Sequence, residues 1–103
     1  MAEMKYGFYP THPGEVLKDE IEYLKISQRA LAAKIGMSPT ALNEILNARR
    51  PVSTTTAYLF EAALDFPAES LLRMQLKYDM HKARSDKKLL YRLTAIRKLA
   101  AIL

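Results

Sequence analysis

Apolar residues recur at helical spacing along most of the chain and are separated by short polar breaks. After Pro13, which suits the first turn of a helix, Val16, Leu17, Ile21 and Leu24 repeat on one face. The alternation typical of strands is almost lacking. The pattern therefore predicts a first helix that starts at Pro13, in a chain that is mainly helical.

Serine, glycine and proline mark the boundaries of the next two helices. Ser27 is a typical N-cap and predicts a helix over residues 28–35, which Gly36 can end because glycine tolerates positive φ. Ser38 and Pro39 supply the N-cap and the first residue of a third helix. The apolar face of this third helix consists of Leu42, Ile45 and Leu46.

Pro51 closes the third helix, and a fourth is predicted soon after it. Ser53 or Thr54 caps this helix, which runs to Leu64. Its inward residues are predicted to be Leu59, Ala62 and Ala63.

A turn at residues 65–67 separates the fourth helix from a fifth, which begins at Pro67 or Ala68 and runs to about Arg84. Asp86 can cap a sixth helix that reaches the C-terminus. The predicted fold class is all-α, with five or six helices.

The two helices over residues 27–50 carry the most informative spacing. Ala32 lies four positions after Gln28, Gly36 lies eight after it, and apolar residues lie fourteen and seventeen after it. Helices that cross near a right angle need a small residue at the contact and a glycine at the turn. The spacing resembles the helix-turn-helix of Cro- and phage-repressor-like DNA-binding proteins. The alternative is an ordinary helical hairpin in a bundle.

If Leu42 and Ile45 point inward, the opposite face of the third helix is free to enter the major groove. The side chains predicted to contact bases are Pro39, Thr40, Asn43 and Glu44. Asparagine can bond adenine through two atoms, threonine can meet the thymine methyl group, and glutamate can accept from cytosine. Glu44 is equally well explained as a surface residue that avoids phosphate.

A second set of side chains is predicted to contact DNA phosphates: Gln28, Ser38, Asn47, Arg49 and Arg50. The first two stand at helix N-termini, where amides favour anions. Arg49 and Arg50 follow the third helix and can reach the backbone of DNA. Alternatively, these two arginines only complement the negative C-terminal end of the helix dipole.

The composition excludes several functional classes. The chain has no cysteine, and His12 and His81 have no partner at ligand spacing, so no metal site is expected. Neither a Ser/His/Asp arrangement nor a glycine-rich phosphate loop occurs, so we expect no enzyme and no cofactor. The N-terminus lacks a signal-peptide pattern, and no stretch approaches the roughly 18 apolar residues of a membrane span, which favours a cytoplasmic protein.

The net charge of +5 is distributed unevenly. Residues 1–72 hold seven basic and nine acidic residues, whereas residues 73–103 hold nine basic residues and two acidic ones. A basic balance favours a polyanionic partner, although a basic tail is also an ordinary solvated surface.

Four short motifs, two of which lie outside residues 27–50, add to the helix-turn-helix pattern. Residues 12–15 read H-P-G-E, residues 27–29 read S-Q-R, residues 45–47 read I-L-N with a basic pair after them, and residues 75–79 fit Q-x-x-Y-D. Over roughly residues 11–80 the chain thus resembles the HigA-type antitoxins, or plasmid-maintenance antidote proteins. It departs from them at Ala48 and Asp65, where glycine is common, and at Leu71, where tryptophan is common.

This resemblance implies a dimeric, five-helix fold that binds an operator in its own promoter and neutralises a HigB-type ribosome-dependent mRNA endonuclease. The expected organisation is an N-terminal extension over residues 1–10, a lambda-repressor-like domain over 11–84, and a basic amphipathic helix over 85–103. Two alternatives remain open. One is a toxin-binding protein with little DNA binding, and the other is a free-standing transcriptional regulator without a toxin.

Four features outside the predicted DNA-binding helices allow more than one interpretation. His12 is expected to cap or pack at the first helix rather than to catalyse. The acidic residues of the first helix form either a solvated face or a docking surface for a basic toxin: Glu15, Asp19, Glu20 and Glu22. The apolar stripe of the last helix packs onto the domain, a dimer mate or the toxin, and consists of Leu89, Leu93, Ile96, Ala100 and Leu103. Near the start of the chain, Tyr6, Phe8 and Tyr9 either join that surface or stay disordered.

Overall fold

The computed structural model describes residues 10–102, which form six α-helices and, within that range, no strand. The helices are α1 Pro13–Tyr23, α2 Gln28–Ile35, α3 Pro39–Leu46, α4 Thr54–Leu64, α5 Ala68–Arg84 and α6 Lys87–Ala100. The predicted all-α class is confirmed. The aromatic residues Tyr6, Phe8 and Tyr9, most of the N-terminal extension, and Leu103 lie outside the described residues.

Side-chain caps begin the helices where the sequence predicts. Ser27 Oγ accepts from the Ala30 N–H at 3.1 Å, and Ser38 Oγ accepts from the Ala41 N–H at 3.1 Å. Each bond satisfies one of the amides that the first turn of a helix leaves unpaired. Ser53 rather than Thr54 caps α4, and α5 begins at Ala68 without a side-chain cap.

One apolar core is shared by α1 to α5. Its fully buried members include Leu17, Ile21, Leu31, Leu42, Ile45, Leu46, Phe60 and Leu71. The predicted inward face of α4 is wrong in part: Ala57 and Phe60 are buried, Leu59 and Ala63 are half-buried, and Ala62 is exposed. Residues 57–64 are apolar except for Glu61, so the sequence pattern did not specify which face of α4 packs against the neighbouring helices α2 and α5. Contacts from α2 and α5 select the face that carries Phe60.

Leu24 also departs from its predicted burial. It is 43% exposed because α1 ends at Tyr23 and Leu24 already forms the C-cap. Ile26, in the link to α2, packs against the core instead.

Three loop positions adopt left-handed backbone geometry without glycine. Lys25, Ala48 and Asp65 have φ values of 59°, 61° and 59°. Two of these, Ala48 and Asp65, are the positions at which the HigA-type pattern carries glycine. Each follows the end of a helix, where a left-handed residue is the usual terminator and glycine meets no steric cost.

The last helix, α6, differs from the other five. None of its residues is buried, and it packs against α5 alone among the helices with substantial contact. Leu89 and Leu93 of the predicted stripe are half-buried, whereas Ile96 and Ala100 are exposed. The helix stops at Ala100 instead of continuing to the C-terminus.

Candidate nucleic-acid interface

The turn between α2 and α3 sets the crossing of the two helices. Gly36 adopts φ 72° and ends α2, and the Met37 N–H donates to the Ala32 carbonyl at 2.9 Å. Ala32 is 1% exposed at the crossing, where a larger side chain would separate the helices. α3 therefore packs against α2 and α1 through its apolar face and leaves its polar face outward.

The residues predicted to contact bases share this outward face of α3. Pro39, Thr40 and Asn43 are exposed, and Glu44 is half-buried. Asn43 Nδ2 donates to Gln28 Oε1 at 3.2 Å, so a residue at the start of α2 orients the asparagine. Asn43 retains its carbonyl oxygen and a second amide hydrogen, the pair that bonds adenine.

The two predicted phosphate contacts at helix N-termini keep donors available. The amide nitrogen of Gln28 remains free to donate after its oxygen has accepted from Asn43. The hydroxyl of Ser38 accepts from the Ala41 N–H and still carries its own hydrogen. Both side chains thus serve the fold without losing the groups that a phosphate oxygen would need.

Glu44 and Arg50 form an ion pair across the end of α3. Arg50 Nε and Nη2 donate to Glu44 Oε1 at 3.0 and 2.7 Å. The two side chains are 37% and 51% exposed, and such surface pairs stabilise a fold by only about 0–1 kcal/mol. A phosphate can therefore compete for Arg50, and the pair links one predicted base contact to one predicted phosphate contact.

Asn47 is the C-cap of α3, and both the oxygen and the nitrogen of its side-chain amide form hydrogen bonds within the chain. Its Nδ2 donates to the Asn43 carbonyl at 2.8 Å, and its Oδ1 accepts from Lys18 Nζ at 3.3 Å. Lys18, on α1, is thereby brought to the same end of α3 as Arg49. Sequence reasoning missed Lys18 because its neighbours along the chain belong to the acidic first helix.

The loop over residues 48–52 is held from behind by α1 and α5. The Val52 N–H donates to Gln75 Oε1 at 2.8 Å, and Gln75 Nε2 donates to Asp79 Oδ1 at 2.9 Å. Gln75 is only 6% exposed. The Q-x-x-Y-D motif contained this signal, since a Gln and an Asp four positions apart share a helix face.

His12 occupies the other side of that loop. It is 2% exposed, its Nδ1 accepts from the Gly14 N–H at 2.9 Å, and its ring meets that of Tyr78 edge-on at 4.8 Å. Burial lowers the pKa of His12 below 6.5, against the opposing effects of Glu15, Asp79 and a hydrogen bond to the backbone of Arg50. The residue caps α1, as expected, and is kept neutral.

Gly14 brings α1 directly onto α3. A Cβ atom at this position would lie 1.7 Å from the Ile45 carbonyl oxygen, so only glycine allows the contact. The H-P-G-E motif therefore supplies a cap, a helix start and a close approach to the backbone of the helix that carries the predicted base contacts.

A cavity of about 160 Å³ lies between this loop and α5. Arg49, Arg50 and Lys82 are among its lining residues. A cation of the basic C-terminal third thus lies beside the two arginines, which the linear charge distribution did not reveal. Among residues 10–102 there is no cluster of side chains suited to a metal ion and no helix long and apolar enough to cross a membrane.

A family comparison agrees with this geometry. Residues 17–71 match the model of a helix-turn-helix family, which is more than half of the chain. The chain belongs to this helix-turn-helix family, of the XRE type. The matched range runs from the middle of α1 to the start of α5 and contains every residue predicted to contact DNA.

Relatives of this XRE-type chain include antitoxins. The "Virulence-associated protein I" of Dichelobacter nodosus is 39% identical over 79 residues, which cover 74% of this chain and 71% of the relative. The structure of a HigA-family addiction module antidote protein from Coxiella burnetii matches with a TM-score of 0.70 and 31% identity, covering 81% of this chain and 94% of that one.

A third similar protein was solved together with DNA. The structure of the Pseudomonas aeruginosa antitoxin HigA with the higBA promoter matches with a TM-score of 0.68 and 32% identity, covering 72% of this chain and 82% of that one. The XRE-type chain therefore has a DNA-binding, antitoxin-like fold whose neighbours are HigA-type proteins.

Proposed function

We propose that this chain is a sequence-specific antitoxin that represses its own promoter and neutralises a HigB-type mRNA endonuclease toxin by binding it. The observation that carries the DNA-binding part is the exposed polar face of α3, with Asn43 oriented by Gln28. The similar Pseudomonas aeruginosa HigA, solved with its promoter, supports the same assignment.

In this proposal Pro39, Thr40, Asn43 and Glu44 contact bases, and Gln28, Ser38, Asn47, Arg49 and Arg50 contact phosphates. Base contacts confer sequence preference, whereas phosphate contacts confer affinity and its dependence on salt. The two sets can therefore be separated by experiment.

The deciding experiment uses the duplex that the protein selects from a random-sequence pool. Asn43→Ala or Thr40→Ala should weaken this duplex by about 1–3 kcal/mol at particular base pairs and leave folding intact. Equal losses on the selected and the random duplex would show that these side chains read no bases.

Arg49→Ala with Arg50→Ala should weaken binding and lower the slope of log affinity against log salt by roughly one unit per lost phosphate contact. The matched control neutralises three cations of α6, namely Lys87, Lys88 and Arg92. This control should chiefly weaken binding to random DNA. Loss of selected-duplex binding in the control alone would place the DNA surface elsewhere.

Glu44 has two possible roles that one substitution separates. Glu44→Ala releases Arg50 and removes a negative charge from the DNA face. If Glu44 accepts from cytosine, the variant should lose preference at one base pair. If it does not, both duplexes should bind more tightly.

The proposal includes a homodimer, because one small helix-turn-helix unit buries little DNA and dimers read two half-sites about one helical turn apart. Exposed apolar side chains on α5 and α6 support self-association: Leu76, Met80, Ile96 and Leu99. Sedimentation should give a dimer, free or on DNA, and a monomer in both states would contradict it.

Toxin binding is tested with the product of the reading frame next to the gene. Glu15, Asp19 and Glu22 are exposed on one face of α1, and none forms an ion pair with another residue within 10–102. Replacing these three acids with glutamine should weaken capture of a basic toxin. Unchanged capture would make this acidic face an ordinary solvated surface.

The net charge of −2 on residues 1–72, with seven basic and nine acidic residues, favours a second candidate, a toxin-binding protein with little DNA binding. Toxin capture without enrichment of any duplex from the random pool would identify it.

A further inference from the structure

Two buried side chains, Gln75 and His12, hold the loop over residues 48–52. Val52 is 2% exposed, and its N–H donates to Gln75 Oε1 at 2.8 Å. A buried loop amide needs such an acceptor, because water cannot reach it. Gln75 Nε2 is engaged by Asp79 Oδ1 at 2.9 Å, so both ends of the glutamine amide are fixed.

The second residue that holds the loop is His12. Its ring lies edge-on to Tyr78 of α5, its Nδ1 caps α1, and it lines the same cavity as Arg49 and Arg50. The start of α1, the loop and α5 therefore meet around this cavity. The neighbouring Gly14 touches the Ile45 carbonyl, so the same junction contacts α3.

This loop carries Arg49 and Arg50, whose side chains are exposed. It leaves α3 through Ala48, which holds a left-handed backbone conformation. A flexible loop with two arginines would meet phosphates in many orientations and would lose conformational entropy on binding. A loop that is bonded at Val52 and has His12 beside Arg50 presents its backbone in one position relative to α3.

We propose that His12 and Gln75 are positioning residues for DNA recognition, which hold Arg49 and Arg50 in register with the base-contacting face of α3. The proposal rests on the DNA-binding function proposed above. Both residues are buried and act through the loop backbone rather than on DNA. They also connect α5 to the DNA surface, so the position of α5 sets the phosphate contacts.

A reciprocal exchange tests the role of Gln75. Gln75→Glu keeps an acceptor for Val52 but sets a second carboxylate against Asp79, where like charges repel. Adding Asp79→Asn supplies an amide donor and restores both hydrogen bonds and the net charge. Asp79→Asn alone still offers an oxygen to Gln75 Nε2 and serves as a control.

The measurement is the salt slope of affinity for the duplex that the wild-type protein selects from a random pool. In the wild-type background, Arg49→Ala with Arg50→Ala should lower this slope by about two units, one for each contact. In the Gln75→Glu background the same arginine change should lower it by less than one unit. The Gln75→Glu, Asp79→Asn pair should recover the wild-type response.

A matched control separates positioning from stability. Leu71→Val lies one turn earlier on α5, at a fully buried position, and removes packing without removing a hydrogen bond to the loop. It should lower the melting temperature while keeping the wild-type salt slope and the full arginine effect. If the arginine effect on the salt slope were as small in Leu71→Val as in Gln75→Glu, His12 and Gln75 would have only a general structural role.

His12→Asn provides an independent variant should Gln75→Glu fail to fold. Asparagine keeps a cap for α1 but loses the ring contact with Tyr78 and the imidazole beside Arg50. In this background too, the arginine change should lower the salt slope by less than one unit. A folded Gln75→Glu or His12→Asn protein with an unchanged arginine effect overturns the positioning role. The DNA-binding function, and the positioning role with it, is overturned if the wild-type protein selects no duplex. The same holds if Arg49→Ala with Arg50→Ala leaves the salt slope of the wild-type protein unchanged.

Discussion

The helices α1 to α5 and the helix α6 are built from similar local signals but have different surroundings. Asp86 caps α6 by accepting from the Lys88 and Leu89 N–H groups, which is at least as good a cap as Ser27 provides for α2. Yet α2 buries Leu31 and Ala32, whereas α6 buries nothing. A cap and an amphipathic pattern are thus enough to start a helix, but burial depends on the presence of a partner surface.

The two regions also differ in charge. The acidic residues of the chain are concentrated before Leu72, and the cations of α6 have no acid among them. The proposed DNA face nevertheless lies on α1 to α5, the more acidic of the two regions, where Lys18 contacts Asn47 and Lys82 lines a cavity with Arg49 and Arg50. Local arrangement of charge, rather than its sum along a segment, identifies the candidate interface.

The largest expected difference between the two regions is in stability. Phe60→Ala should lower the free energy of unfolding by about 3–5 kcal/mol, because it empties a fully buried site. Leu93→Ala on α6 removes a half-buried side chain and should cost less than about 1 kcal/mol. Denaturant unfolding of both variants measures the contrast, and similar losses would show that α6 belongs to the core.

His12 should make the free energy of unfolding of α1 to α5 depend on pH. Its pKa is lowered in the folded protein, mainly by burial, and Glu15, Asp79 and Lys82 are the charged groups that act on it. The unfolded chain therefore binds the proton more readily than the folded chain. Neutral His12 makes its full contribution to the free energy of unfolding above about pH 6.5, and this contribution is lost as the pH falls below that value. Relative to wild type, His12→Asn should lower the free energy of unfolding by about 1–2 kcal/mol near pH 7.5, because it keeps a cap for α1 but loses the buried ring contact with Tyr78.

The difference between wild type and His12→Asn should then narrow as the pH falls from 7.5 to 5. A difference that stays constant over this range would mean that His12 does not titrate differently on folding. The same comparison in a chain without residues 87–103 should give the same dependence of the difference on pH, because no residue of α6 lines the cavity beside His12.

Ala48 and Asp65, which hold left-handed backbone conformations in the loops of α1 to α5, should respond differently to substitution by glycine. Ala48→Gly should raise the free energy of unfolding by about 1 kcal/mol, because Ala48 holds φ 61° with a Cβ atom. Asp65→Gly should gain less, since aspartate tolerates this conformation better than alanine. Thermal unfolding of the two variants gives the order, and a destabilised Ala48→Gly protein would show that the Cβ atom has a packing role.

Deletion of residues 87–103 should have the smallest effect on the folded body. With no buried residue in α6, the unfolding transition of the remaining chain should shift by less than about 1 kcal/mol. Self-association measured by sedimentation should weaken if α6 pairs between copies. Unchanged association would remove α6 from the dimer interface, and a large loss of stability would contradict the contrast between the two regions.

The helices and their order follow from local features of the sequence. Ser27, Ser38 and Asp86 act locally, because a cap bonds amides only two or three residues away, and Gly36 ends α2 through its own backbone freedom. The spacing of Ala32 and Gly36 after Gln28 likewise predicted the turn that exposes the polar face of α3. These features depend on neighbours along the chain, so they can be read from it.

Packing between segments far apart in sequence selects the surfaces that meet. The burial of Phe60 instead of Ala62 depends on the packing of α4 against α2 and α5. The contact of Lys18 with Asn47 and the bond from Val52 to Gln75 join positions that are 29 and 23 residues apart. The sequence marked Gln75 and His12 as members of motifs but not as neighbours of Arg50. Their role follows from packing, because a side chain acts on whatever the fold places within a few ångströms of it.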